Sequence, residues 1–123
     1  MAAITWLNTL SDGNLGEAGN YSGNTLPGGG DTLTIATPAN GPPTTGISNA
    51  GAVTINNTAE IDGVCVFNGI VTVASGCIIG ASIFNNTVKS VTAAAIHGST
   101  FNGDVYINGV KIQSASFNTL MVP

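Results

Sequence analysis

The dipeptide Phe-Asn occurs at Phe67-Asn68, Phe84-Asn85, Phe101-Asn102 and Phe117-Asn118, a nearly constant period along the second half of the chain. A recurrence of this kind marks an array in which one supersecondary unit is stacked on the next. The register holds beyond the dipeptide. Gly69, Asn86 and Gly103 occupy the next column, and Val71, Val88, Val105 and Met121 fall in one apolar column. Shifted back by one period, Val53-Thr54-Ile55 superposes on Val71-Thr72-Val73, and Leu33-Thr34-Ile35 repeats the pattern one slightly longer step earlier.

Within each unit apolar residues alternate with polar or small ones, as in Val53-Thr54-Ile55, Val105-Tyr106-Ile107 and Val110-Lys111-Ile112. That is the period of a half-buried strand. Such short strands, separated by Gly, Asn and Ser, leave no room for crossover helices and are too regular for a Greek-key sandwich. The expectation is an all-β fold, a short single-stranded parallel β-helix (β-solenoid) with rungs of 16 to 18 residues set by the recurring columns. Residues one rung apart then lie about 4.8 Å above one another. Phe67, Phe84, Phe101 and Phe117 are expected to form an aromatic ladder. Asn68, Asn85, Asn102 and Asn118 are expected to form a ladder of side-chain amides at a bend, where Asn also tolerates left-handed backbone.

Composition agrees and narrows the function. Seventeen Gly and few charged residues (7%) displace the usual helix formers, while 43% hydrophobic residues argue against disorder. Two Lys, no Arg and a net charge of −4 cannot neutralise a run of phosphates, so neither nucleic acid nor an anionic membrane is an expected partner. No apolar run approaches the length of a membrane span, and the first residues lack the basic and apolar regions of a signal peptide, which is the pattern of a chain made soluble in a cytoplasm. Cys65 and Cys77 each sit in an apolar run and read as buried free thiols.

Two parts are expected: an irregular, loop-rich leader over residues 1–46 with one strand near Leu33–Ile35, and a β-solenoid over 47–123. Four rungs make a small core with two open ends, and the chain closes on Leu120, Met121 and Val122 with no charge after Lys111. A partner is expected to cover that end. Threefold self-association protects short solenoids laterally, so a homotrimer is expected, with Trp6, Tyr21, Leu120, Met121 and Val122 as trimer or partner contacts.

Catalysis finds little material. His97 is the sole histidine, which leaves no multi-histidine metal site or His-based triad within one chain. Glu60 and Asp62 lie two apart on one prospective strand face, within range of a carboxylate pair, yet acids at solenoid edges more commonly discourage stray strand pairing. Pro27-Gly28-Gly29-Gly30-Asp31 lacks the Lys-Ser/Thr ending of a phosphate loop. Trp6, Tyr21 and Tyr106 are the candidate exposed aromatic platforms for a sugar, but they do not share a column. The threonines at 54, 72, 87, 92 and 100 hold no single register through all rungs. No enzyme activity, catalytic residue, metal site or cofactor is expected.

The segment Trp6, Gly13-Asn14, Ala18-Gly19-Asn20-Tyr21, then Leu26-Pro27-Gly28-Gly29-Gly30-Asp31-Thr32-Leu33-Thr34-Ile35, resembles the entry segment of β-helical surface and phage proteins, with Tyr21 where a second tryptophan is common. Together with the Phe-Asn rungs and the chain length, it resembles the trimeric, tailspike-shaped cement or decoration proteins on the capsids of tailed bacteriophages, including cyanophages. The resemblance implies a structural virion protein on the outer capsid surface that contacts and stabilises the major capsid protein lattice, either through residues 1–46 or, in the opposite polarity, through the tail from Leu120 to Pro123. The alternative reading is a receptor-binding tail fibre, tailspike or adhesin module that recognises a host glycan.

Overall fold

The computed structural model describes residues 2–36, 38, 40–56, 59–61, 63–74, 77–90, 95–97, 99–107, 110–112 and 119–121. The first strands are β1 (Ala3–Thr5), β2 (Thr32–Ile35), β3 (Ile47–Ser48), β4 (Ala52–Ile55) and β5 (Glu60–Ile61). The middle of the chain holds β6 (Val66–Phe67), β7 (Ile70–Val73), β8 (Ile78–Ile79), β9 (Ile83–Phe84) and β10 (Val88–Ser90). The remainder holds β11 (Ala95–His97), β12 (Thr100–Phe101), β13 (Val105–Ile107), β14 (Val110–Ile112) and β15 (Thr119–Met121).

These strands form three sheets: β1-β2-β4-β7-β10-β13-β14, β15-β11-β8-β5 and β12-β9-β6-β3. Successive passes of the chain visit the three sheets in turn, making an all-β parallel solenoid of about three turns. Every second residue points inward, as the alternation requires. Ile4, Leu33, Val53, Val71, Val88 and Val105 stack in one buried column of the large sheet, and Ile35, Ile55 and Val73 in the next. Ile61 and Ile79 face them from the second sheet.

The third sheet supplies the aromatic ladder. Phe67 and Phe84 stack with ring centroids 5.5 Å apart and planes 12° from parallel, and Phe84 and Phe101 at 5.3 Å and 9°. Ser48 is the register partner below Phe67. Beside the rings, at the corner, runs the amide ladder: Asn102 Nδ2 donates to Asn85 Oδ1, Asn85 Nδ2 to Asn68 Oδ1 and Asn68 Nδ2 to Asn49 Oδ1, each at 2.8 Å. Asn49 is an additional rung beyond the expected ones, because Phe-Asn is replaced there by Ser48-Asn49. Phe117 and Asn118, the expected last rung, lie outside the described residues. The turns after Asn68 and Asn102 bring backbones close: a Cβ on Gly69 would collide with the Ala50 carbonyl, and one on Gly103 with the backbone of Asn86.

Three expectations are corrected at the ends. First, the leader is part of the solenoid, since β1 and β2 extend the large sheet and β1 pairs with β2 in parallel. The sheets run across the expected boundary at residue 46. Second, Met121 does not continue the Val71–Val88–Val105 column. The strand outside β13 is β14, paired antiparallel with Val105 opposite Ile112, while Met121 pairs antiparallel with Ala95. Only Asn108-Gly109 separates β13 from β14 in sequence, and Asn-Gly is the pair most favoured in the shortest hairpin connections, so a local reversal wins over a further rung. Third, Leu120 and Met121 are not a bare tail, because β15 is bonded along β11. The parallel stack thus ends on antiparallel strands in two of its three sheets. Val122 lies outside the described residues.

Candidate functional site

Trp6 and Tyr21, read from sequence as exposed platforms and interface residues, are both buried within the chain. Their rings meet edge to face at 5.5 Å and 73° beside β1. The reason is packing: the first turn of a solenoid needs a plug, and large aromatics with a polar handle fill it when the handle finds a partner. Trp6 Nε1 donates to the Gly41 carbonyl at 3.2 Å and the Tyr21 hydroxyl to the Leu15 carbonyl at 2.7 Å. Burial pushes the Tyr21 hydroxyl above its ordinary range.

Two buried asparagines tie the leader around this plug. Asn8 Nδ2 donates to the Asn40 carbonyl at 2.6 Å while its Oδ1 accepts from Gly13 N at 2.9 Å. Asn20 Nδ2 donates to Asp12 Oδ1 at 2.7 Å and to the Asn14 carbonyl at 2.9 Å, and its Oδ1 accepts from Leu10 N at 2.9 Å. The amide of Asn20 and the backbone N–H of Asn14 hold the Asp12 carboxyl below its usual range. Asp31 closes the Pro27–Asp31 turn, accepting from Gly28 N at 2.8 Å and Ala2 N at 2.9 Å, and these bonds lower its pKa. Both acids are therefore structural, binding the leader and the first strand together.

The residues weighed for catalysis are not drawn together. Glu60 is exposed on β5, opposite Ile78, and Asp62 lies outside the described residues. His97 lies in β11, its backbone opposite Thr119. Cys65 and Cys77 are buried thiols outside any disulfide, Cys77 Sγ donating to the Ile55 carbonyl at 3.3 Å, and burial pushes the Cys65 thiol up to about 12. Among the described residues no group of three His, Cys, Asp or Glu could hold a metal ion, and no helix is long and apolar enough to cross a membrane.

The chemistry left on view is that of the outer faces. On the third sheet Ile47, Val66, Ile83 and Thr100 stand in register on the outward side, Ile47 at 51% exposure and the others half-buried. Val64 is 54% exposed beside that column, Ile78 47% on the second sheet and Ile70 38% on the large one. A groove of about 360 Å³ runs under β3, lined by Leu15, Gly16, Leu26, Pro27, Ile47 and Asn49. Leu7, Leu10 and Leu26 carry the exposed apolar surface of the leader in place of the aromatics. Of the three candidate platforms, Tyr106 alone stays on an outer face, half-buried.

Fold and surfaces together define a short parallel β-solenoid plugged at its start by its own leader, reversed at its end, and clothed in sparsely charged faces. Comparison with family models, with curated proteins and with solved structures returned no match.

Proposed function

We propose that the chain is a non-enzymatic assembly protein: a homotrimeric cement or decoration protein on the outer surface of a phage capsid, stabilising the major capsid protein lattice. The observation that carries this reading is the outward column of branched apolar side chains on the third sheet, exposed Ile47 with half-buried Val66 and Ile83 in register above it and exposed Val64 alongside. Exposed apolar surface organised by register rather than scattered is the mark of an interaction face. Three identical solenoids packed side by side would cover it, with the Ile47–Val66–Ile83 column as the shared seam. Leu7, Leu10 and Leu26 then supply the leader's contact with the shell, the role first expected of Trp6 and Tyr21.

Light scattering on the purified chain, together with a binding titration on empty phage heads, tests this directly. A particle of about three times the 12.2 kDa chain mass that saturates heads at a fixed ratio to capsid subunits supports it. Ile47→Lys is expected to yield monomers by placing a charge in the seam. A monomeric wild-type chain that leaves heads undecorated overturns it. A second reading, a fibre or adhesin module that recognises a glycan, is favoured by one observation, the position of Tyr106.

A further inference from the structure

The fold forces one dipeptide into its corners. The ladder residues Asn68 and Asn102 are each followed by glycine, and the close approach of rungs requires it: a Cβ on Gly69 would meet the Ala50 carbonyl and the Gly51 backbone, and one on Gly103 the backbone of Asn86. Asn85, between them in the ladder, is followed by Asn86 instead. Asn-Gly is also the sequence that loses a side-chain amide most easily, because a following residue without a Cβ lets its backbone nitrogen reach the asparagine Cγ. Packing thus builds a reactive pair into two rungs, and the ladder sets which of them reacts.

The two sites are held differently. Asn68 is engaged on both amide atoms, Nδ2 donating to Asn49 Oδ1 and Oδ1 accepting from Asn85 Nδ2, each at 2.8 Å. Asn102 Nδ2 donates to Asn85 Oδ1 at 2.8 Å, but among the described residues nothing donates to Asn102 Oδ1, and Asn118, the rung expected beyond it, lies outside them. Gly69 is buried in a turn with strands stacked on both sides, whereas Gly103 is half-buried on the last parallel turn. End turns of a stack open at lower cost than middle ones. Ring closure draws Cγ out of the amide plane, so that residue's ladder bonds must break first: two at Asn68 and one at Asn102. Of the other Asn-Gly pairs, Gly41 N is tied to the Pro38 carbonyl at 2.9 Å, and Asn108-Gly109 lies outside the described residues.

We propose that Asn102 is a site of spontaneous covalent self-modification, deamidating through Gly103 while the ladder shields Asn68. The Gly103 nitrogen gives up its proton to solvent base and attacks Asn102 Cγ. The new N–Cγ bond closes a succinimide as the Cγ–Nδ2 bond breaks, and Nδ2 takes a proton back from solvent to leave as ammonia. Water then opens the ring at either carbonyl, leaving aspartate or isoaspartate at 102, so one water is consumed and one ammonia released without oxidant or cofactor. The product carboxylate has no N–H for Asn85 Oδ1, and isoaspartate adds a methylene to the main chain at a corner where rungs must superpose. The last parallel turn is therefore marked by age and loses its ladder bond. This chemistry depends on neither the capsid reading nor the glycan reading.

The test incubates the full chain at mildly alkaline pH and one fixed concentration, both folded and in urea, and follows conversion at each asparagine by peptide mapping with mass spectrometry. In urea the two Phe-Asn-Gly sites should convert at comparable rates. In the folded chain Asn102 should convert about tenfold or more faster than Asn68, the combined effect of one ladder bond and the easier opening of an end turn. Asn85→Ala removes the donor to Asn68 Oδ1 and should speed conversion at Asn68 by about fivefold to tenfold. Circular dichroism checks that this variant is folded, and the wild-type comparison decides by itself if it is not. Conversion at Asn68 as fast as at Asn102 in the folded chain, an Asn102 that stays intact while the unfolded chain converts, or an unchanged Asn68 rate in folded Asn85→Ala each overturns the proposal.

Discussion

Phe84 is the middle ring of the described aromatic column, fully buried, with Phe67 at 5.5 Å on one side and Phe101 at 5.3 Å on the other, all within about 12° of parallel. Leucine at 84 retains most of the apolar burial but loses both ring contacts, and at roughly 0.5–1.5 kcal/mol per aromatic pair beyond burial the cost is about 1–3 kcal/mol. Leucine at 67, whose described ring contact is Phe84 alone, loses one such contact and should cost about half as much. Alanine at 84 adds a cavity between two rungs and should cost about 3–5 kcal/mol, a large part of the roughly 5–15 kcal/mol that holds a domain folded. Urea unfolding followed by far-ultraviolet circular dichroism, at one fixed protein concentration because association would contribute, reads these costs as midpoint shifts at constant slope. The double variant Phe67→Leu/Phe84→Leu should be less destabilised than the sum of the two singles by about one pair energy. Equal costs at 67 and 84, or strict additivity, would show that the rings only fill volume and that their stacking contributes nothing.

The amide ladder has a direction, so its rungs should respond differently to a carboxylate. Asn85 both donates to Asn68 and accepts from Asn102, and Asn85→Asp sets two acceptors face to face at an exposed corner, at a cost of about 0.5–1.5 kcal/mol, whereas Asn49, which accepts from Asn68, should tolerate Asp with little change in urea midpoint. Ser82 Oγ is buried without a hydrogen-bond partner, so Ser82→Ala should raise stability by about 1 kcal/mol in the same assay. The Asp31 pKa is lowered on folding, so its contribution is complete above the ordinary value of 3.8 and is lost as pH falls below it; acid titrations of stability should show a shallower decline for Asp31→Asn than for the wild type. The Cys65 pKa is raised from 9.0 to about 12, so its contribution is complete below 9.0 and lost as pH rises through that window; a thiol reagent at mildly alkaline pH should label the protein only after denaturant is added.

The interior of the solenoid is legible in the sequence because it is written several times over. Phe67, Phe84 and Phe101, the Asn corner beside them and the inward valines recur at nearly constant steps, and each repeat confirms the others. Asn49 is harder to find because its neighbour is Ser48 rather than Phe, though its amide occupies the same column. The hairpin between β13 and β14 carries a local signal in Asn108-Gly109, but the repeat around it suggests another rung. Trp6 and Tyr21 are the least legible: an aromatic in a Gly-rich loop reads as exposed, and only the contacts with Leu15 and Gly41 explain why both lie buried.

What the sequence determined by itself is the period, and with it a stack of short parallel strands, because in a solenoid each turn is stabilised by the same contacts as the last and the code for those contacts must repeat. What only the tertiary structure decided is what happens where repetition stops. The pairing of β1 with β2 across the whole leader and the reversal of the chain at β14 and β15 each arise once. A contact made once, between residues far apart in the chain, leaves no periodic trace, and its place is fixed only when the chain closes around its core.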